Sequence, residues 1–174
     1  MRLTRKSKIR GLATLLVVLV MVPTAASAGQ DDLAQVRKAT ARFHRVEVVQ
    51  EAGHKLGYNE AFPLDHCIAH PTAGAMGYHY FNIDLINDIS VDALEPEGVV
   101  YAPGPNGQRK LVAVEWIVPK AAWEAAGNTE PPSVLGQPMH VLNPALGWYI
   151  LHAWVWSHNP SGMFEDWNPE VVCP

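Results

Sequence analysis

Long apolar runs are scarce in this chain of 174 residues. The longest, Gly11–Val22, has 12 residues, and a membrane-spanning helix needs about 20. A stable membrane anchor is therefore not expected. Basic residues are also few beyond position 28. Five of the 13 Lys and Arg and none of the 17 Asp and Glu lie in 1–28, so residues 29–174 hold 8 basic against 17 acidic groups, a formal charge of −9. Such a surface repels nucleic acid and anionic lipid, so neither is an expected partner. It suits cations, or serves solubility alone. Local signatures are missing too. There is no phosphate-binding glycine loop, no H-E-x-x-H, no G-x-S-x-G and no dinucleotide fingerprint. Any chemistry must come from residues that the fold gathers.

What is present begins with an export signal. Arg2, Arg5, Lys6, Lys8 and Arg10 form a basic head, Gly11–Val22 an apolar body, and Ala26-Ser27-Ala28 an A-x-A exit. These are the three parts of a secretory signal peptide, cut near Ala28. Residues 29–174 then form one exported globular domain, secreted or periplasmic. Cysteine is limited to Cys67 and Cys173. In an oxidising compartment the two are expected to pair as a disulfide. In the chain-entropy picture a bridge closing so long a loop contributes about 4–5 kcal/mol.

The periodicity predicts an α+β domain. Leu33, Val36, Thr40, Phe43, Val46 and Val49 recur at three- and four-residue steps, which predicts one long N-terminal helix over Asp31–Gln50, capped by Asp31 or Asp32 and ended by Gly53. Residues 53–75 read as a long loop. Strands are expected at Met76–Ile83, Val99–Ala102, Lys110–Val118 and Trp148–Ser157, with a hairpin turn at Pro103–Gly107. Lys120–Ala126 reads as a short helix. Asn128–Gly147 has four prolines and reads as an irregular lid, binding loop or wrap. The whole suggests a single domain with an antiparallel sheet of about four to five strands.

Strand parity supplies the candidate site, because side chains alternate between the faces of a sheet. In Lys110–Val118, Val112, Val114, Trp116 and Val118 share one face. Leu111, Ala113, Glu115 and Ile117 share the other. His152 sits among Trp148, Ile150, Trp154 and Trp156, and His158 continues that series if the strand persists. His79 shares a face with Gly77, Phe81 and Ile83, with Gly77 leaving room beside it. If these faces look the same way, His79, Glu115 and His152 converge, with His158 as a fourth group. Two imidazoles and a carboxylate can bind a divalent transition metal: zinc, iron or copper. Without a metal, a His–Glu pair could do general acid–base work. The same trio reads equally as a buried hydrogen-bond network in a structural or interaction protein.

Two further groups stand out. His66, Cys67, His70 and Met76 could hold copper if Cys67 were free. Trp148, Trp154 and Trp156 share one parity, and Trp116 and Trp167 could join them. They could line a groove for a small molecule, or pack as core. The stretch from Asn159-Pro160 to Asn168-Pro169 reads as a rigid wrap over that face. His44, His54 and His140 read as surface or loop residues.

The segments Gly74-Ala75-Met76-Gly77-Tyr78-His79-Tyr80, Val114-Glu115-Trp116 and Leu151-His152-Ala153-Trp154 through His158-Asn159-Pro160-Ser161-Gly162-Met163-Phe164 resemble those of an uncharacterised family of secreted bacterial proteins. The likeness spans most of residues 29–174. It implies an exported bacterial domain and brings no activity, so no catalytic residue is taken from it.

Overall fold

A computed structural model describes residues 29–58 and 62–174. The signal peptide read at 1–28 lies outside the described residues. The fold combines short helices with an antiparallel sheet.

The expected long helix is three pieces: α1 (Gln30–Thr40), a 3-10 turn (Ala41–His44) and α2 (Val46–Glu51). Gly29 is the N-cap of α1, and its amide donates to Asp32 Oδ2 at 3.2 Å, so Asp32 caps the start from the third helical position. The apolar periodicity is genuine, but the backbone ladder breaks at the extended Arg45, and two side-chain hydrogen bonds engage carbonyls ahead of that break. Thr40 Oγ1 bonds back to the Val36 carbonyl at 2.8 Å. The Phe43 carbonyl accepts the Tyr101 hydroxyl at 2.5 Å instead of a helical amide. Arg45 is extended, which re-aims α2. Leu33, Val36, Phe43 and Val49 still all reach the sheet.

The main sheet has six strands. The 53–75 segment contributes β1 (Lys55–Leu56) and β2 (Ile68–His70). Both pair with β3 (Gly74–Phe81). After α3 (Ile83–Asn87) come β4 (Gly98–Pro103) and β5 (Arg109–Pro119), joined by the Pro103–Gly107 turn. Next are α4 (Lys120–Ala125), a small hairpin of β6 (Ser133–Val134) and β7 (Gln137–Pro138), and β8 (Trp148–Ala153). The spatial order is β1-β3-β4-β5-β8, with β2 also on β3, and every pairing is antiparallel. The β6–β7 hairpin is regular structure inside the proline-rich loop. Leu135 and Gly136 both take positive φ, 54° and 69°, as a two-residue hairpin turn requires.

Two departures from parity matter for the site. A bulge lies between Val100 and Tyr101 opposite β5: Val100 pairs with Ala113, but Tyr101 pairs with Leu111. Val112 is the extra residue, so alternation flips there. Leu111 packs with Tyr101 on the helix side, while Val112 packs with Trp154 on the other. β8 also stops at Ala153, short of the predicted Ser157. The Trp154 amide donates to the Met163 carbonyl at 2.9 Å, and the Trp156 amide to the Val112 carbonyl at 3.1 Å. The chain therefore bends away before His158.

The helix side of the sheet is a continuous apolar layer. Val114, Trp116, Val118, Tyr149, Leu151 and Ala153 meet Leu33 and Val36 there. The opposite side is covered by loops and by the C-terminal tail.

The candidate His/Glu site

His79, Glu115 and His152 lie on the loop side of β3, β5 and β8. The register explains how they meet. Glu115 is directly opposite His152 across β5–β8, so their side chains are cross-strand neighbours. His79 is two strands away from Glu115, with β4 between. The residue of β4 opposite Glu115 is Gly98, which also faces Phe81. A Cβ on Gly98 would stand 3.0 Å from both Glu115 Cβ and Oε2. The missing side chain is what lets the carboxylate lean over β4 toward His79.

Glu115 Oε1 is 3.0 Å from His152 Nδ1, and Glu115 Oε2 is 3.6 Å from His79 Nε2. One donor atom from each residue fits within 4.8 Å of the others. The three residues are 4%, 3% and 0% exposed for His79, Glu115 and His152. The imidazoles are edge-to-face, with centroids 5.8 Å apart. Each is also stacked on a strand neighbour, His79 on Phe81 and His152 on Trp154. These ring contacts fix the imidazole planes.

The polar atoms are poorly satisfied. His79 Nδ1, both His152 ring nitrogens and Glu115 Oε2 are buried with no hydrogen-bond partner among the described residues. The His152–Glu115 contact is close but not aligned as a hydrogen bond. Burial pushes the His79 imidazole below its ordinary range, against the pull of Glu115, so it is neutral near neutral pH. Burial alone would raise the Glu115 carboxyl. The two imidazoles beside it, His79 first, bring it below the usual carboxylate range.

A cavity of about 450 Å³ opens over the trio. His79 and Glu115 reach its lining, whereas His152 stands behind them. Most of the wall is apolar, including Met76, Phe81, Ile117, Trp148 and Ile150. Leu64, Ile68 and His70 close one side, Leu142–Leu146 of the proline-rich loop another, and Trp167 of the tail a third. Cys67 and Cys173 are joined in a disulfide that links the first of these walls to the tail. Bridged, Cys67 cannot ligate, so the copper set of His66, Cys67, His70 and Met76 does not assemble. His66 is exposed beside Asp65, and His70 and Met76 line the cavity.

The remaining candidates are dispersed. His158 is 77% exposed along its side chain and lies 3.9 Å from Glu170, away from the trio. Trp148 lines the cavity. Trp154 is buried under the tail, against Val171, and donates to the Glu165 carbonyl at 2.6 Å. Trp156 crosses to the helix side, where it donates to Thr40 Oγ1 at 3.0 Å. The three tryptophans therefore do not line one groove. The tail is latched by Asn159, whose amide donates to the Trp167 carbonyl, and by Asn168, whose amide donates to the His158 carbonyl.

His54 is not a surface residue: it is 3% exposed, next to the Phe43 ring, with Nε2 3.3 Å from the Pro96 carbonyl. Gly77 also differs from its expected role. Its φ is +123°, and a Cβ there would meet the Tyr101 carbonyl at 2.4 Å, so it serves backbone approach, not space near His79. Gly98 and the wall at Leu142–Leu146 carry no motif. A glycine opening a β-branched strand is the one available hint of the first.

No family model, curated protein or solved structure matches this chain. Among the described residues, no helix is long and apolar enough to cross a membrane.

Proposed function

We propose that the protein is an exported metal-binding protein whose ion is held by His79, Glu115 and His152, with the remaining coordination position facing the cavity. The observation that carries this reading is the convergence of one ligand atom from each of His79, Glu115 and His152 within 4.8 Å, all buried, with His152 Nδ1 and Glu115 Oε2 unpaired. A structural network would satisfy those atoms, since unpaired buried polar groups cost about 1–3 kcal/mol each. One ion takes a single nitrogen from each imidazole, so it would engage His152 Nδ1, Glu115 and His79 Nε2, the atoms that already face one another. The spacing also fits. Two ligand bonds of about 2.0–2.1 Å at a tetrahedral angle place donor atoms about 3.3 Å apart, and the contacts at 3.0 and 3.6 Å bracket that value. A neutral His79 and an ionised Glu115 are the forms that ligate.

Two imidazoles and one carboxylate suit zinc with an open fourth position, or non-haem iron(II). When bound, such an ion polarises an oxygen ligand and acidifies bound water. The chain's own part is to keep the donors dry, oriented by Phe81 and Trp154, and reachable from one side. The bridge between Cys67 and Cys173 fits an oxidising compartment. The basic head and A-x-A exit of residues 1–28 support export by a signal peptide.

The test is the metal content of purified protein after dialysis. The expected result is about one transition-metal ion per chain, as one three-ligand site holds, lost in His79→Ala and His152→Ala. Protein that retains no ion, and whose melting temperature is unchanged by added zinc, iron(II) or copper(II), would rule the reading out.

A further inference from the structure

Resting on that metal reading, we infer that the cavity binds a small monocarboxylate with an aryl or branched aliphatic body, its carboxylate directed inward at the ion. Charge balance comes first. Glu115 is the only carboxylate lining the cavity among the described residues, and no Lys or Arg lines it. His70, the remaining titratable group in the wall, adds no negative charge. Its Nδ1 accepts the Thr72 and Ala73 amides at 3.2 and 3.1 Å, which leaves Nε2 as the protonated nitrogen. A divalent ion with one carboxylate and two neutral imidazoles carries a net single positive charge. At the base of a mostly apolar cavity that charge favours an anionic ligand.

The walls then select the rest of the ligand. Met76, Phe81, Ile117, Leu146, Trp148 and Trp167 offer apolar and aromatic surface. The volume, about 450 Å³, lies in the range of small-molecule sites. A bare inorganic anion or acetate would leave that surface in contact with water. A ring or branched chain attached to the carboxylate would cover it. The polar group points inward because the ion lies there, and the body points outward along the apolar walls.

The experiment uses the full exported chain loaded with cobalt(II), whose visible absorption reports new ligands. It is titrated with 3-phenylpropionate and with acetate, while tryptophan emission reports Trp148 and Trp167. The expected result is that both acids change the cobalt spectrum, 3-phenylpropionate binds at least about 10-fold tighter, as burial of a phenyl group allows, and only it shifts the emission. Leu146→Trp, at a wall residue that is not one of the three ligands, should erase that preference and keep the cobalt. Stoichiometric cobalt with no preference for 3-phenylpropionate would overturn the ligand assignment and leave the metal reading standing. Equal binding of 3-phenylpropionate to metal-free and cobalt protein would overturn the inward carboxylate. Failure to take up cobalt at all would overturn the metal reading and this inference together.

Discussion

The two faces of β5 differ by one residue in character and by much more in consequence. On the helix side Val114, Trp116 and Val118 sit in a closed apolar layer under α1. Two indoles on this side are paired: Trp116 Nε1 donates to the Asp92 carbonyl at 3.0 Å, and Trp156 Nε1 to Thr40 at 3.0 Å. On the loop side Glu115 replaces an apolar residue between Ala113 and Ile117. There four donor atoms are left without partners and a cavity stays open. The first face is closed and apolar. The second combines buried polarity with access, an arrangement that stabilises little unless something binds.

The contrast can be broken from either side. The largest effect is expected from the staple of the loop side. Replacing both Cys67 and Cys173 by Ser should cost about 4–5 kcal/mol in the chain-entropy picture, read as a fall in denaturant midpoint. Because the bridge ties the Ile68 wall to the tail, the cavity should also open.

Next comes Trp116→Ala on the closed face. It should cost about 3–5 kcal/mol by cavity formation, with the same metal affinity per folded molecule. Loss of metal in the folded fraction would show that the two faces are coupled.

Gly98→Ala sharpens the comparison from the site. The new Cβ would crowd Glu115 at 3.0 Å. A stability cost of about 1–3 kcal/mol follows from overpacking. Metal affinity should fall about 10–100-fold, as for lost support of a ligand. Unchanged affinity would mean the carboxylate does not need to cross β4.

The smallest effect concerns Glu97, which is 2% exposed and accepts the Ile117 amide at 2.9 Å. Burial raises its carboxyl to about 8 from 4.5. The unfolded chain therefore releases this proton near 4.5, and the folded chain only near 8. Its contribution weakens as pH rises through that window, by about 1 kcal/mol from roughly pH 7 to 8. His79 acts in the other direction: its lowered imidazole removes stability as pH falls below 6.5. Glu97→Gln should flatten the alkaline limb of a melting-temperature profile and leave the acid limb in place.

Much of this was legible from alternation. Glu115, Ile117, Ile150, His152 and His79 share a face because period-two patterning holds from Ala113 onward and through β3 and β8. The pattern failed where backbone partners decide. Nothing in the run Leu111-Val112-Ala113 marks Val112 as the bulged residue. The end of β8 is set by the Met163 carbonyl capturing the Trp154 amide, a contact made ten residues along the tail. Likewise α1 and α2 share one apolar period, and the break between them falls at the extended Arg45, just after the Phe43 carbonyl that Tyr101 engages from the sheet. Gly98 had no periodic signal, since its role is to be absent beneath Glu115. His54 does lie in a loop, but its burial depends on tertiary contacts with Phe43 and Pro96 that no local pattern marks.

The central claim is that His79, Glu115 and His152 on the loop face hold one ion. Its most direct test is the metal content of the purified, dialysed protein beside that of His152→Ala, each shown to be folded by its near-ultraviolet spectrum. The account predicts about one transition-metal ion per chain in the parent, the occupancy of a single three-ligand site, and none in the variant. A folded parent that carries no ion and takes up none from zinc, iron(II) or copper(II) would contradict it.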